Sequence, residues 1–167
     1  MSSSLILELV GNPIVESAID ETHITKFNSE DLHDHLGLGL IFLSQDKSKI
    51  LLMDHVKFNF FTIPIGKVKP TETLDEALHV EMREELAVKL IHYHEVDVNT
   101  NIYQRPGGPI KVTQHVFLVD KYSGNIRNVE HTKHRSVEWY PLQAALDMNL
   151  SDTTRRMING LLSGSIK

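Results

Sequence analysis

Residues Gly66–Val88 read GKVKPTETLDEALHVEMREELAV, and four of the five glutamates in this stretch stand at fixed spacing: Glu72, Glu81 and the pair Glu84-Glu85. Thr73-x-x-Glu76 has the form of a capping box, in which the threonine hydroxyl and the glutamate carboxylate satisfy free N–H groups at a helix start. It predicts a helix from about Leu74 to about Leu86. Leu78, Met82 and Leu86 recur at i, i+4 and i+8 and form the buried stripe of that helix, leaving His79 and Arg83 toward solvent. Glu81, Glu84 and Glu85 lie at i, i+3 and i+4, within roughly a 100° arc beside the stripe. Three carboxylates so crowded repel one another. A hard divalent cation neutralises them, and oxygen-only ligands suit Mg²⁺ or Mn²⁺. By themselves the three acids fit a solvated charged face equally well.

The whole stretch decides between these readings. It resembles the Nudix box, the signature of the Nudix hydrolase superfamily: Gly, five residues, Glu, seven residues, Arg-Glu, an aliphatic residue, any residue, Glu-Glu, any residue, Gly and an aliphatic residue. Gly66, Glu72, Glu81, Met82, Glu84, Glu85 and Val88 fall on the pattern in register. Val80 stands where the family has arginine, Ala87 where it has glycine, and Ile65 where a second glycine usually precedes the first. The resemblance covers about Leu36 to Leu162. It implies an α/β fold of α+β type, an α/β/α sandwich around a mixed β-sheet.

The family's reaction is hydrolysis of a nucleoside diphosphate linked to another moiety. Pyrophosphate is a polyanion that repels a nucleophile, and bound cations offset that charge and activate a coordinated water. Carried over residue by residue, Glu81, Glu84 and Glu85 match the metal-binding glutamates, and the Gly66 carbonyl is a further ligand for Mg²⁺, or Mn²⁺ in its place. The resemblance makes Glu84 the first choice of general base among these three catalytic candidates. A late-loop glutamate serves in other members, and Glu130 is the nearest candidate here, although a solvated loop residue explains it more simply. Glu72 is expected to steady the loop and helix start. An arginine at position 80 would hold the neighbouring carboxylates in place, which valine cannot do. Ala87 must either adopt a left-handed conformation at a cost of about 1 kcal/mol or let the helix run on.

Outward from the box, Leu36–Ser44 and Lys49–His55 read as two strands of a hairpin around Gln45-Asp46-Lys47-Ser48. Phe58–Ile63 reads as a third strand and residues 66–72 as a loop. Leu90–Val98 and Ile110–Asp120 read as strands joined by a loop over residues 99–109, and Lys121–Lys133 as loop. Ser136–Tyr140 is a last strand, Pro141-Leu142 opens a helix, and Ser151 caps an amphipathic helix beyond it. Leu5–Val10 reads as an edge strand within an N-terminal extension over residues 1–35. The 167 residues fit one domain.

Composition excludes several classes. The net charge is −5 with no basic block, so duplex nucleic acid is an unsuitable primary partner. There is no cysteine, which removes disulfide and thiolate chemistry and agrees with a reducing compartment. MSSSLILELVGNP has no basic n-region, Glu8 interrupts its apolar run, and no segment approaches membrane-spanning length. The expectation is a cytoplasmic protein with a small nucleotide as partner, no membrane association, and a homodimer as a possibility within the family. His33 with His35, and His92 with His94, form i, i+2 pairs, but zinc needs further convergent ligands and none is evident.

Substrate identity rests on the loop after the box. Tyr103 could stack on a base and Arg105 could hold a phosphate, while a packed tyrosine and a solvated arginine explain them as well. Family members sort by a tyrosine for dinucleoside polyphosphates or a proline for ADP-ribose, and both Tyr103 and Pro106 stand near that offset. The reading leans to dinucleoside polyphosphates or capped nucleotides. The alternatives are ADP-ribose, nucleotide sugars or (deoxy)nucleoside triphosphates, and, in a different class, a non-catalytic domain that binds a nucleotide and regulates.

Overall fold

The computed structural model describes residues 34–103 and 108–167. The expected strand at Leu5–Val10 and the loop arginine Arg105 lie outside the described residues. Ten elements follow in order: β1 (Asp34–Ile41), β2 (Lys49–His55), β3 (Phe60–Thr62), β4 (Ile65–Lys67), α1 (Leu74–Leu86), β5 (Lys89–Tyr103), β6 (Ile110–Ser123), β7 (His134–Pro141), α2 (Leu142–Ala145) and α3 (Asp152–Ser163). They form a four-stranded sheet in the order β4-β1-β6-β5 and a three-stranded sheet in the order β3-β2-β7. The first sheet is mixed: β1 runs parallel to β6, while β4–β1 and β5–β6 are antiparallel. The second is antiparallel throughout.

Period-two alternation divides the core into two layers. Leu38, Leu40, Leu51, Met53, Phe117 and Val119 pack with Ala77, Leu78, Met82 and Leu86 of α1. Their strand neighbours Ile41, Ile50, Leu52, Val116 and Leu118 turn the other way and pack with Ala145, Met157 and Ile158 of α2 and α3. The result is the expected α/β/α arrangement of a mixed α+β protein.

The helix carrying the box has the predicted limits. Thr73 caps it, its hydroxyl accepting from the Glu76 N–H while the Glu76 carboxylate accepts from the Thr73 N–H. Asp75 and Glu76 sit in its first turn and Arg83 in its last, in the sense the helix dipole favours. His79 is less free than the sequence suggested. It packs edge-on to Tyr93 at 5.7 Å, and the Tyr93 hydroxyl donates to Asp75, which ties the start of α1 to β5. The helix ends at Ala87, which adopts the left-handed conformation at φ 61°, ψ 35° and donates its N–H to the Arg83 carbonyl.

The expected hairpin of the first two strands is only partly formed. Leu51 N–H bonds to Phe42 O and Ser44 N–H to Lys49 O, so the chain reverses as read. Beyond that point the two strands diverge into different sheets. The loop assigned to residues 66–72 begins with strand β4, and the third strand is shorter than read because Asn59 takes a positive φ of 57° just before it. The β5–β6 hairpin is longer at both ends, with Asn99↔Gln114 through Tyr103↔Ile110 paired where a loop was expected.

Candidate active site

The sheet surface and α1 meet at a cavity of about 430 Å³. Its wall includes Gly66, Lys67, Glu81 and Glu85 from the box, His55, Val56, Lys57 and Phe58 from the end of β2, and Lys133 and His134 from the start of β7. The wall also includes Tyr103, Gln114, Thr62 and Ser151.

Gly66 pairs with Leu38 across β4 and β1. A Cβ there would stand 2.7 Å from Glu81 Oε1, 2.9 Å from its Cγ and 3.0 Å from its Cδ. Glycine is therefore required by space rather than by backbone angle: it lets the Glu81 carboxylate lie against the strand. Glu85, one turn on, is only 5% exposed, and its Oε1 has no hydrogen-bond partner. Burial first, then a hydrogen bond with Glu81 and the charges of Glu81 and Glu130, push the Glu85 carboxyl far above the usual carboxylate range, against a smaller opposing effect of Lys133. Folding alone does not favour such an arrangement, because burying an unpaired acid beside another costs stability. A hard cation reverses the sign by replacing the shared proton with positive charge.

The acidic arc predicted from spacing is divided by the structure. Glu81 and Glu85 face the cavity, whereas Glu84 is exposed and lies outside the lining. Among the described residues, no group of three or more acidic, histidine or cysteine side chains is gathered closely enough to hold a metal. Of the box acids, Glu81 and Glu85 share the cavity wall with Gly66. Glu72 does what was expected, its carboxylate accepting from the Lys69 N–H at 2.9 Å and closing the turn before α1. The loop carrying Glu130 is bonded to the end of α1 through Val129 N–H to Glu85 O and Arg127 N–H to Leu86 O. Glu130 pairs with Lys133 Nζ at 3.4 Å and bears electrostatically on Glu85.

The same cavity wall carries a cluster of aromatic and imidazole rings, of which the sequence singled out only Tyr103. Phe58 touches His55 at 4.8 Å, stacks on Phe60 at 5.4 Å and meets Tyr103 at 6.2 Å between centroids. Tyr103 is on the cavity wall. His55 and His134 meet edge-on at 5.3 Å, brought together by the pairing of β2 with β7. Burial is the first cause that lowers the affinity of both imidazoles for a proton, taking His55 to about 3. Of the pairs noticed in sequence, His94 instead bonds Asp120 at 2.8 Å on the surface, and Asp120 raises its pKa.

The NUDIX domain family model matches residues 33–161. No curated protein sequence matches the chain. Among solved structures, a MutT NUDIX hydrolase from Burkholderia pseudomallei is 25% identical with a TM-score of 0.65, covering 76% of this chain and 97% of its own. An Ap4A hydrolase from C. elegans, in a binary complex, is 18% identical with a TM-score of 0.58, over 79% and 96% of the two chains. The NUDIX domain of Shewanella oneidensis NrtR, complexed with ADP ribose, is 16% identical with a TM-score of 0.56, over 88% and 99%. With the family match spanning most of its length, this chain belongs to the NUDIX domain family and is a hydrolase.

Proposed function

We propose that the protein is a Mg²⁺-dependent hydrolase of the pyrophosphate linkage in a nucleoside diphosphate joined to another moiety. The observation that carries this is the cradle of Gly66, Glu81 and Glu85 on the wall of a cavity that also carries Phe58, Phe60 and Tyr103. The divalent ion supplies charge neutralisation and an acidified water. Glu81, Glu85 and the Gly66 carbonyl hold it, and Glu85 gives up its proton when it does. Lys57, Lys67 and Lys133, all on the cavity wall, bind phosphate oxygens. The aromatic wall holds the nucleoside side, with Tyr103 stacking on a base. Glu84 and Glu130 are the two candidates for general base; both lie outside the cavity lining, and Glu130 is ion-paired with Lys133 at 3.4 Å.

Dinucleoside polyphosphates or capped nucleotides come first as substrates, because Tyr103 stands on the wall. ADP-ribose, nucleotide sugars and (deoxy)nucleoside triphosphates follow. The described residues include no helix long and apolar enough to cross a membrane; this, with the lack of cysteine, supports a cytoplasmic location. We infer a single domain with its core over about residues 36–162. The competing reading, a regulatory domain that binds a nucleotide without cleaving it, draws on Val80 in place of arginine.

The deciding experiment measures product release from a panel of these compounds with Mg²⁺ or Mn²⁺, comparing wild type with Glu85→Gln. Turnover in the wild type that is lost in the variant supports the hydrolase, and the best substrate sets its class. No turnover on any compound, with nucleotide binding retained, replaces it with the regulatory reading.

A further inference from the structure

We propose that His94 is a pH-operated clamp. Doubly protonated, it holds the segment that follows α3 against β5, and it lets that segment go when it loses a proton. The inference is independent of the hydrolase reading, since neither His94 nor its two partners belong to the cavity wall.

Two observations carry it. First, each imidazole nitrogen meets an oxygen that can only accept. Nδ1 lies 2.8 Å from Oδ2 of Asp120 on the neighbouring strand β6, and Nε2 lies 2.8 Å from the main-chain oxygen of Lys167. A neutral imidazole has one N–H and one lone-pair nitrogen. It can satisfy either oxygen but not both, and its lone pair would then face another at 2.8 Å. The imidazolium has two N–H groups and satisfies both, at the distance expected of charge-assisted bonds. Second, the Lys167 oxygen sits on a segment that folds back. The helix stops at Gly164, whose φ of 83° reverses the chain. The Ile166 N–H then donates to the Gly160 carbonyl at 3.0 Å. The Ile166 side chain fills the space above Gly160, where a Cβ would meet its Cδ1 at 2.5 Å, and joins the core layer that holds Met157 and Ile158. Lys167 is thereby delivered to β5.

The surroundings favour the charged form. The hydrogen bond from Asp120 is the first cause that raises the proton affinity of His94, the Lys167 oxygen adds to it, and desolvation opposes both. Among the described residues, Asp120 is the only charged group that bears on His94. Of its neighbours, Glu95 on β5 bonds His115, Arg156 on α3 bonds Asp97, and His92 and Lys121 pair with each other across β5 and β6. A histidine whose proton affinity is raised by folding contributes stability that is fully present below the ordinary value of 6.5. That contribution is lost as pH rises through the folded midpoint. The clamp is therefore closed in mild acid and open in the alkaline range.

The test follows the full chain by NMR from about pH 5 to about pH 9, the range that brackets an ordinary histidine. The His94 midpoint is expected above 6.5, and the Lys167 carbonyl carbon is expected to titrate with it. Hydrogen-exchange protection of the Ile166 amide, corrected for the intrinsic rate, should fall about two- to fivefold across that midpoint, the range of an exposed charged pair. Asp120→Asn should move both midpoints down together, and His94→Gln should abolish the pH dependence of Ile166 protection. The two side chains are 46% and 48% exposed, so neither substitution disturbs the core. The inference is overturned by a His94 midpoint at or below 6.5, or by midpoints that Asp120→Asn leaves in place. A Lys167 carbon that does not follow His94 overturns it too, as does Ile166 protection that is flat in wild type or keeps its pH dependence in His94→Gln.

Discussion

Replacing Gly66 by alanine tests the geometry of the acidic cradle with one methyl group. The added Cβ would meet Glu81 Oε1 at 2.7 Å, Cγ at 2.9 Å and Cδ at 3.0 Å, where unstrained carbon contacts lie at about 3.5–4.0 Å. The helix cannot retreat, because Leu78, Met82 and Leu86 are fully packed against the sheets. Glu81 must therefore swing aside by something between several tenths of an ångström and about 1 Å. Displacement of a catalytic group by about 1 Å can cost about a hundredfold, so kcat/KM with saturating Mg²⁺ should fall about ten- to a hundredfold. The fold should survive. Gly66 has no positive φ to forbid alanine, and the reduced freedom of the unfolded chain is worth about 0.4–1 kcal/mol toward the clash. The melting temperature should stay within a few degrees of wild type. In a Glu81→Gln background the same methyl should cost little more, since the two changes act on one group. A folded Gly66→Ala protein with activity within twofold of wild type would refute the reasoning. So would a loss that adds in full to that of Glu81→Gln.

Three further outcomes follow from the same residues. Ala87→Gly relieves a left-handed alanine at φ 61°, worth about 1 kcal/mol, and should raise the melting temperature by about 2–4 °C; an unchanged or lower midpoint in a scanning melt contradicts it. Val80→Arg should raise metal affinity or turnover severalfold by placing a cation among the box acids, measured by Mg²⁺ titration of activity, and no gain in either would refute this account of the departure. The pKa of Glu85 is raised by folding, so its native form holds a proton that the unfolded chain releases above about pH 4.5. That contribution is fully present at acid pH and is lost as pH rises toward the folded value. Metal-free wild type should therefore lose stability between pH 5 and about pH 9 relative to Glu85→Gln, and Mg²⁺ should restore it to wild type alone; parallel melting curves for the two proteins across that range would sink the assignment.

How much of this was legible in the sequence depends on the range of the interaction involved. The α1 helix was readable to the residue, because its cap, its stripe and its end are local features: Thr73 and Glu76, Leu78, Met82 and Leu86, and Ala87. The α/β/α layering came from the family resemblance, since Leu38–Phe42 and Ile50–Met53 are continuous apolar runs that do not state which residue faces which layer. What failed was partner choice. Nothing in Leu36–Ser44 or Lys49–His55 states that two strands joined by a tight turn must part into different sheets, since that is decided by β6 and β7 far along the chain. The extended β5–β6 hairpin was missed because Asn99, Thr100 and Asn101 are polar on both faces and mimic a loop. The acidic arc was right in angle and wrong in depth. Helical spacing places three glutamates on one side, but only the position of the sheet edge decides that Glu85 is buried, Glu81 half-buried and Glu84 exposed.

The features that a folding argument disfavours gather in one place, and that concentration is itself informative. Among the described residues, four buried polar side-chain atoms have no partner: His55 Nδ1, Glu85 Oε1, Asn128 Oδ1 and His134 Nδ1. Three belong to residues of the cavity wall, and Asn128 bonds the backbone carbonyl of His134 at 2.8 Å. Scattered at random, such atoms would signal a poorly satisfied core. The hydroxyls of Thr62, Ser151 and Thr154 argue against that, because in the same interior they satisfy one another and the Ile63 backbone at 2.8–3.4 Å. Thr62 and Ser151 line the same cavity, so its wall is not unsatisfied throughout. The open atom with a second carboxylate beside it is Glu85 Oε1, which a cation would complete. Local rules broken together at one cavity mark a site selected for what it binds.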